Sequence, residues 1–120
     1  MSEEQPLRTV TENGNIHYRL PDGRLHRLDG PAVIHKGGIG YWYQYGKRHR
    51  EDGPAVTLTS GYSAWYKDGK IHREDGPAVT DALGESHYFI DGKRIEPGSL
   101  AMKLIKEKER RRELCKRSNH

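Results

Sequence analysis

Of its 120 residues the chain has one cysteine, one phenylalanine and two methionines, and only 32% are hydrophobic. Cys115 alone cannot close an internal disulfide, so the fold must hold without covalent staples, and a reducing compartment is the natural setting. No apolar run comes near the ~20 residues that a membrane-spanning helix needs. The opening Met1–Pro6 is acidic and polar, without the apolar segment of a signal peptide. The expectation is a soluble cytoplasmic protein with no membrane partner. The apolar share lies below the ~45–50% of ordinary globular domains, so the interior has to be thin.

Excess charge is confined to one end. From Ser99 onward there are eight Lys and Arg against three Glu, a balance of +5, and the chain as a whole carries +4. The preceding residues are therefore close to neutral.

Glycine is abundant, and its spacing is regular. Gly23, Gly46, Gly69 and Gly92 are 23 residues apart, as are Gly38, Gly61 and Gly84, and Val10, Val33, Val56 and Val79. Ala64–Val79 reads Ala-Trp-Tyr-Lys-Asp-Gly-Lys-Ile-His-Arg-Glu-Asp-Gly-Pro-Ala-Val, and Tyr41–Val56 is a close copy 23 positions earlier. A period of this size belongs to arrays in which one supersecondary unit stacks on the next. Within each unit an aromatic strand (Tyr41 to Gln44, Ala64 to Lys67, His87 to Ile90) leads to a Gly turn, with Asp22-Gly23, Asp68-Gly69 and Asp91-Gly92 predicted as type I′ turns. The outgoing segment is interrupted by Asp-Gly-Pro, because proline lacks the ladder donor. Asn13-Gly14 predicts a hairpin ahead of the array.

The reading is a mainly β protein: an antiparallel meander of tandem 23-residue β-hairpin repeats with one C-terminal α-helix. Residues 1–6 read as disordered, 7–98 as the β-repeat domain, 99–117 as a basic amphipathic helix and 118–120 as a disordered tail. Ser99 is the expected helix N-cap, with Leu100, Ala101, Leu104 and Ile105 on the stripe that packs on the last repeat. Strand alternation places Trp42, Trp65 and Tyr88 on one face and Tyr43, Tyr66 and Phe89 on the other. Two aromatic faces on one sheet both need covering.

The residues Trp-Tyr, Gly-Lys, His-Arg and Asp-Gly-Pro-Ala, recurring in phase over Ile16 to Ile95, resemble small repeat proteins of bacteriophages and large DNA viruses built on W-Y-x-x-G-K-x-H-R-x-D-G-P-A units. The chain is also distantly similar to MORN repeats and YwqK-type antitoxin repeats. MORN units have Gly after the His, where this chain has Arg27, Arg50 and Arg73. The resemblance implies a MORN-like sheet and a viral setting, with the protein acting in the host bacterial cytoplasm.

Candidate chemistry is scarce. The row His26, His49, His72 would place imidazoles roughly 9.5 Å apart, twice the ~4.8 Å strand spacing, whereas zinc holds each nitrogen at ~2.0–2.1 Å. The triplicated Arg and Asp (Arg27 with Asp29, Arg50 with Asp52, Arg73 with Asp75) form a ladder instead of a convergent pocket. They read as turn-building groups, with Asp accepting backbone N–H bonds and Arg pairing across to the neighbouring unit. Neither catalytic residues, a metal nor a cofactor is expected. The favoured function is a non-enzymatic interaction module, a phage accessory protein that binds and modulates a host or defence protein. Trp42, Tyr43, Trp65, Tyr66, Arg50 and Arg73 are the candidate partner-binding residues, and a homodimer through one sheet face follows from the same pattern. One alternative is nucleic-acid binding by Arg110, Arg111, Arg112, Lys116 and Arg117 on the basic helix. Another is an antitoxin-like complex with a toxin.

Overall fold

The computed structural model describes residues 5–118. The disorder expected for 1–6 and 118–120 thus falls mostly outside the described residues. In chain order the strands begin with β1 (Leu7–Val10), β2 (Ile16–Arg19), β3 (Val33–Ile34) and β4 (Gly40–Tyr41). They continue with β5 (Tyr43–Gln44), β6 (Lys47–Arg48), β7 (Val56–Thr57), β8 (Ser63–Ala64), β9 (Tyr66–Lys67) and β10 (Lys70–Ile71). Then come β11 (Val79–Thr80), β12 (Ser86–His87), β13 (Phe89–Ile90) and β14 (Lys93–Arg94), followed by a single helix, α1 (Leu100–Ser118). The protein is mainly β, antiparallel and meander-like, with one C-terminal helix.

Two kinds of glycine turn set the architecture. At Tyr45-Gly46, Asp68-Gly69 and Asp91-Gly92 both residues have positive φ, 49–50° and then 81–84°. This is the type I′ geometry, and it closes the small hairpins β5/β6, β9/β10 and β13/β14. At Gly61, by contrast, a three-residue loop is closed by Leu58 N–H to Tyr62 O (2.8 Å) and Gly61 N–H to Leu58 O (3.0 Å), with glycine alone in the left-handed region. Loops of this second kind join strands of an eight-stranded sheet ordered β1-β2-β3-β4-β7-β8-β11-β12. His17, Val33, Tyr41, Val56, Ala64, Val79 and His87 form one register row across it.

The expected aromatic strands are each cut in two. Tyr41 lies in the long sheet and Tyr43 in a small hairpin, with Trp42 at the joint, and Trp65 and Tyr88 sit at corresponding joints. Trp42 N–H bonds Ala55 O (2.9 Å) and Trp65 N–H bonds Ala78 O (2.7 Å), so the backbone is anchored to the long sheet at the point where it leaves it. The single sheet of the sequence reading is therefore corrected to one long sheet with three separate two-stranded ones.

The interior is thin and made of small residues. Ala32, Ala55, Ala64 and Ala78 are fully buried, with Val33, Val56 and Val79 next to them, and among the described residues no large side chain is completely enclosed. Ala55 is typical. Its N–H donates to Ala64 O and its C=O accepts from Trp42, so its backbone is bonded on both sides while its side chain is fully buried.

Asp22-Gly23 departs from its predicted turn. Gly23 has φ 95°, but Asp22 is not in the left-handed region, and Leu20 N–H bonds Arg24 O (2.8 Å) around a three-residue loop. Pro21 causes this, since its fixed φ suits the first central position of a type I turn and not a type I′ turn. The additional loop residue makes Tyr18, and not Arg19, the counterpart of Trp42: Tyr18 N–H bonds Ala32 O as Trp42 N–H bonds Ala55 O.

Ser99 caps α1 as expected, with Oγ accepting from Met102 N–H (3.1 Å). The docking stripe shares only Ile105 with the predicted one. Ile105 is buried and Met102, Glu109 and Arg112 are half-buried, whereas Leu100, Ala101 and Leu104 face solvent. Spacing alone could not distinguish the two stripes, because the docked face is held as much by charged contacts as by apolar ones. Among the described residues no helix is long and apolar enough to cross a membrane.

Candidate interaction surface

The octapeptide His-Arg-Glu-Asp-Gly-Pro-Ala-Val occurs twice, at His49–Val56 and His72–Val79. Both copies fold alike. Arg50 Nε donates to Asp52 Oδ1 (3.1 Å) and Nη1 to Pro54 O (3.1 Å), while Arg73 Nε donates to Asp75 Oδ1 (2.9 Å) and Nη1 to Pro77 O (3.3 Å). The guanidinium is thus held flat inside its own loop. It does not reach across to the neighbouring unit, as the sequence had suggested, because the carboxylate two residues on is within easier reach.

Flat guanidinium groups cover the aromatic rings. Arg27 lies 4.1 Å from the Tyr18 ring centroid, Arg50 3.9 Å from Trp42 and Arg73 3.8 Å from Trp65. On the opposite side of each guanidinium is a buried glycine: a Cβ built on Gly53 would stand 2.7 Å from Arg50 Cζ, and one on Gly76 the same distance from Arg73 Cζ. Glycine is required here by close approach and not by φ. At Tyr88 the series changes, because Glu96 occupies the position 23 residues after Arg73. The cation comes instead from α1: Lys106 Nζ sits 4.7 Å from the Tyr88 centroid and 3.0 Å from its hydroxyl. The hydroxyl contact, before all else, raises the Lys106 pKa above its ordinary value.

Histidines make the joints between successive loops. Tyr45 N–H donates to His26 Nδ1 (3.0 Å), Asp68 N–H to His49 Nδ1 (3.0 Å) and Asp91 N–H to His72 Nδ1 (2.9 Å). With Nδ1 accepting, the imidazole proton resides on Nε2, where His72 meets Glu74 Oε2 at 3.1 Å. Among the described residues no three of His, Cys, Asp and Glu are placed to hold one ion.

The expected bare aromatic faces are thus modified. Trp42 and Trp65 are half-buried beneath Arg50 and Arg73, and Tyr43 and Tyr66, on the other row, lie within 5.4–6.0 Å of the Arg48 guanidinium. Between the two octapeptide loops a groove of about 320 Å³ remains, lined among others by Arg50, Glu51, Trp65, Lys67, Arg73 and Lys108. Of the six partner-binding candidates, Arg50, Trp65 and Arg73 line this groove, Trp42 lines a separate hollow with Arg50, and Tyr43 and Tyr66 line neither. Glu51 and Lys67 were not singled out from the sequence, and Lys108 was read there only as part of the basic helix. The repeated octapeptide was the signal that could have found Glu51.

Along α1, charged residues are largely matched by neighbours. Arg110 and Arg111 both pair with Glu107, and Arg112 pairs with Glu113 (3.2 Å) while its Nε lies 3.7 Å from Asp75 Oδ2 and donates to Asp75 O (3.4 Å). Lys108 Nζ reaches Glu74 Oε1 at 3.4 Å. The hydrogen bond from His72 and then that from Lys108 hold the Glu74 carboxyl below its ordinary pKa. Lys116 is exposed, and Arg117 falls in the last turn. Compared with family models, curated proteins and solved structures, the chain matches none.

Proposed function

We propose that this chain is a non-enzymatic protein-interaction module, a MORN-like array of tandem 23-residue units that presents the groove between its two octapeptide loops to a protein partner. The observation that carries this reading is the disposition of its reactive groups. The recurring Arg, His and Asp of the loops are engaged within their own loop or with the next turn, so these groups stand in ranks, and beside them lies an open groove in which Trp65 is flanked by charged side chains. Interfaces favour such Trp and Arg anchors. The viral setting, with a host or defence protein as the target, rests on the resemblance of the repeat motif.

Lys67 lines the groove and makes no ion pair or side-chain hydrogen bond among the described residues. A partner captured by the full chain from host cells and then purified is expected to bind Lys67→Glu at least fivefold more weakly by calorimetry, with the fold unchanged by circular dichroism. Equal affinity would refute the groove as the binding surface. Capture of nucleic acid instead, lost on reversing Arg110 and Arg111, would establish the competing reading of the basic helix.

A further inference from the structure

Three successive hairpins carry a cation at the same place with no counter-charge. Lys47, Lys70 and Lys93 each follow the turn glycine of β5/β6, β9/β10 and β13/β14, are exposed, and make no ion pair or side-chain hydrogen bond among the described residues. Lys47 and Lys70 are also fixed in direction, because their stems lie along the turn of the next hairpin. A Cβ built on Gly69 would stand 3.8 Å from Lys47 Cβ and 3.9 Å from its Cγ and Cδ, and one on Gly92 would stand 3.8 Å from Lys70 Cβ. Arg24 holds the equivalent place against Gly46 in the first unit, but Asp22 neutralises it at 2.8 Å.

The middle hairpin doubles the charge. Lys67 and Lys70 are register partners across β9/β10, so they project from one face with Cβ atoms about 4.5–5.5 Å apart, where like charges repel. The matching pairs, Gln44 with Lys47 and Ile90 with Lys93, carry no such repulsion. Lys67 also lines the groove beside Trp65, which strand alternation puts on the same face. An anion supplied from outside would relieve what the chain leaves unrelieved. We infer that this lysine row, with Lys67 and Trp65 beside it, docks an acidic segment of the partner protein in the polyproline II conformation, with Asp or Glu at every third residue. This rests on the reading of the chain as an interaction module and names the chemistry of what it binds.

Spacing selects that conformation. Equivalent positions one unit apart are separated by roughly 9.5 Å, twice the strand spacing. A polyproline II segment has three residues per turn at ~3.1 Å each, so every third side chain returns to the same side after ~9.3 Å. In a β-strand, residues three apart point to opposite faces, and an α-helix returns to one line only after seven residues, ~10.5 Å, and drifts out of step. Prolines between the acidic residues suit an aromatic surface such as Trp65 offers. Nucleic acid fits less well. Asp68 and Asp91, 74% and 71% exposed, alternate with the lysines along the hairpin tips. A duplex brings a phosphate about every 3.4 Å along each strand, whereas a peptide leaves the places opposite these carboxylates neutral.

The test titrates the isotope-labelled full chain with a synthetic peptide of five Glu-Pro-Pro units, and with a control of the same composition whose five Glu are contiguous, following backbone amide shifts at low salt. Saturable binding centred on the Gly69 and Gly92 amides is expected, at least fivefold tighter for the spaced peptide. Lys70→Glu and Lys47→Glu should each weaken it about threefold or more, as exposed charge pairs allow. Lys103→Glu, an equal change of charge at an exposed position of α1, should leave it within twofold. Lys70→Glu also sets opposite charges across from each other at Lys67, so its thermal midpoint should not fall. No saturable binding, equal affinity for the contiguous control, or an equal loss with Lys103→Glu would overturn the inference. So would tighter binding of a single-stranded oligonucleotide of equal charge, which would assign the row to nucleic acid. If the spaced peptide fails while Lys67→Glu still loses the captured partner, the partner meets the groove by other chemistry and the proposed function stands.

Discussion

Substituting Gly53 by Ala adds one methyl group where the Arg50 guanidinium is clamped on every side. The new Cβ would lie 2.7 Å from Arg50 Cζ, 3.0 Å from Nε and 3.1 Å from Nη1, inside van der Waals contact. Arg50 cannot retreat, because the Trp42 ring is 3.9 Å from Cζ on the far side and Asp52 and Pro54 hold the edges at 3.1 Å. Overpacking a filled site costs about 1–3 kcal/mol. If the arginine is expelled, the loss is a cation–π contact of about 0.5–2 kcal/mol together with charged hydrogen bonds. Either route points to about 2–3 kcal/mol, and since Gly53 is not at positive φ, no backbone strain contributes. At roughly 4 °C per kcal/mol for a domain of this size, the midpoint should fall by about 8–12 °C. The assay is a thermal and urea melt of Gly53→Ala, Arg50→Ala and the double variant. If the clash is the cause, the double variant is no less stable than Arg50→Ala alone. A Gly53→Ala midpoint within 2 °C of the parent, or strictly additive losses, would refute the sandwich as the reason for this glycine.

Two further outcomes follow from the same contacts. His49→Phe keeps the ring but leaves the Asp68 N–H without its acceptor, so stability should drop by about 1–3 kcal/mol in urea unfolding. Because Glu74 titrates below its ordinary value of 4.5 in the folded chain, the stability it contributes is present above that pH and is lost as the pH falls through the lowered value. The wild type should therefore lose stability on acidification below about pH 4.5 more steeply than Glu74→Gln, as read from thermal midpoints across pH 3–7.

Periodicity made the later hairpin turns and the antiparallel pairing legible, and residue type made the Ser99 cap so, since each depends on neighbours in sequence, whereas Pro21 altered the first turn. Three features were hidden for physical reasons. The glycine of Asp-Gly-Pro reads as a turn residue, yet Gly53 and Gly76 are explained only by a guanidinium folding back on them, which depends on a side-chain path. The division of each aromatic strand at Trp42 and Trp65 reflects which neighbour the backbone bonds next, a tertiary choice that alternation does not encode. The α1 stripe was misplaced because Lys106 and Arg112 dock through charge and cation–π contacts, which a count of apolar residues passes over. For the candidate surface, the rows of Trp and Arg were visible, whereas their mutual stacking and the open groove beside Glu51 required coordinates.

Slack in the first unit has a practical meaning. The additional residue between Tyr18 and His26 is absorbed wholly at the hairpin tip, and the bonds from Tyr18 to Ala32 and from Tyr45 to His26 are made regardless. A length change at this tip is thereby uncoupled from the spine, whereas the later tips are tied to the preceding unit through bonds such as Gly69 N–H to Arg48 O. A loop of foreign sequence placed between Asp22 and Gly23 would ride outside the long sheet and leave its strand order intact, making the first hairpin the edge of this small chain that can be rewritten.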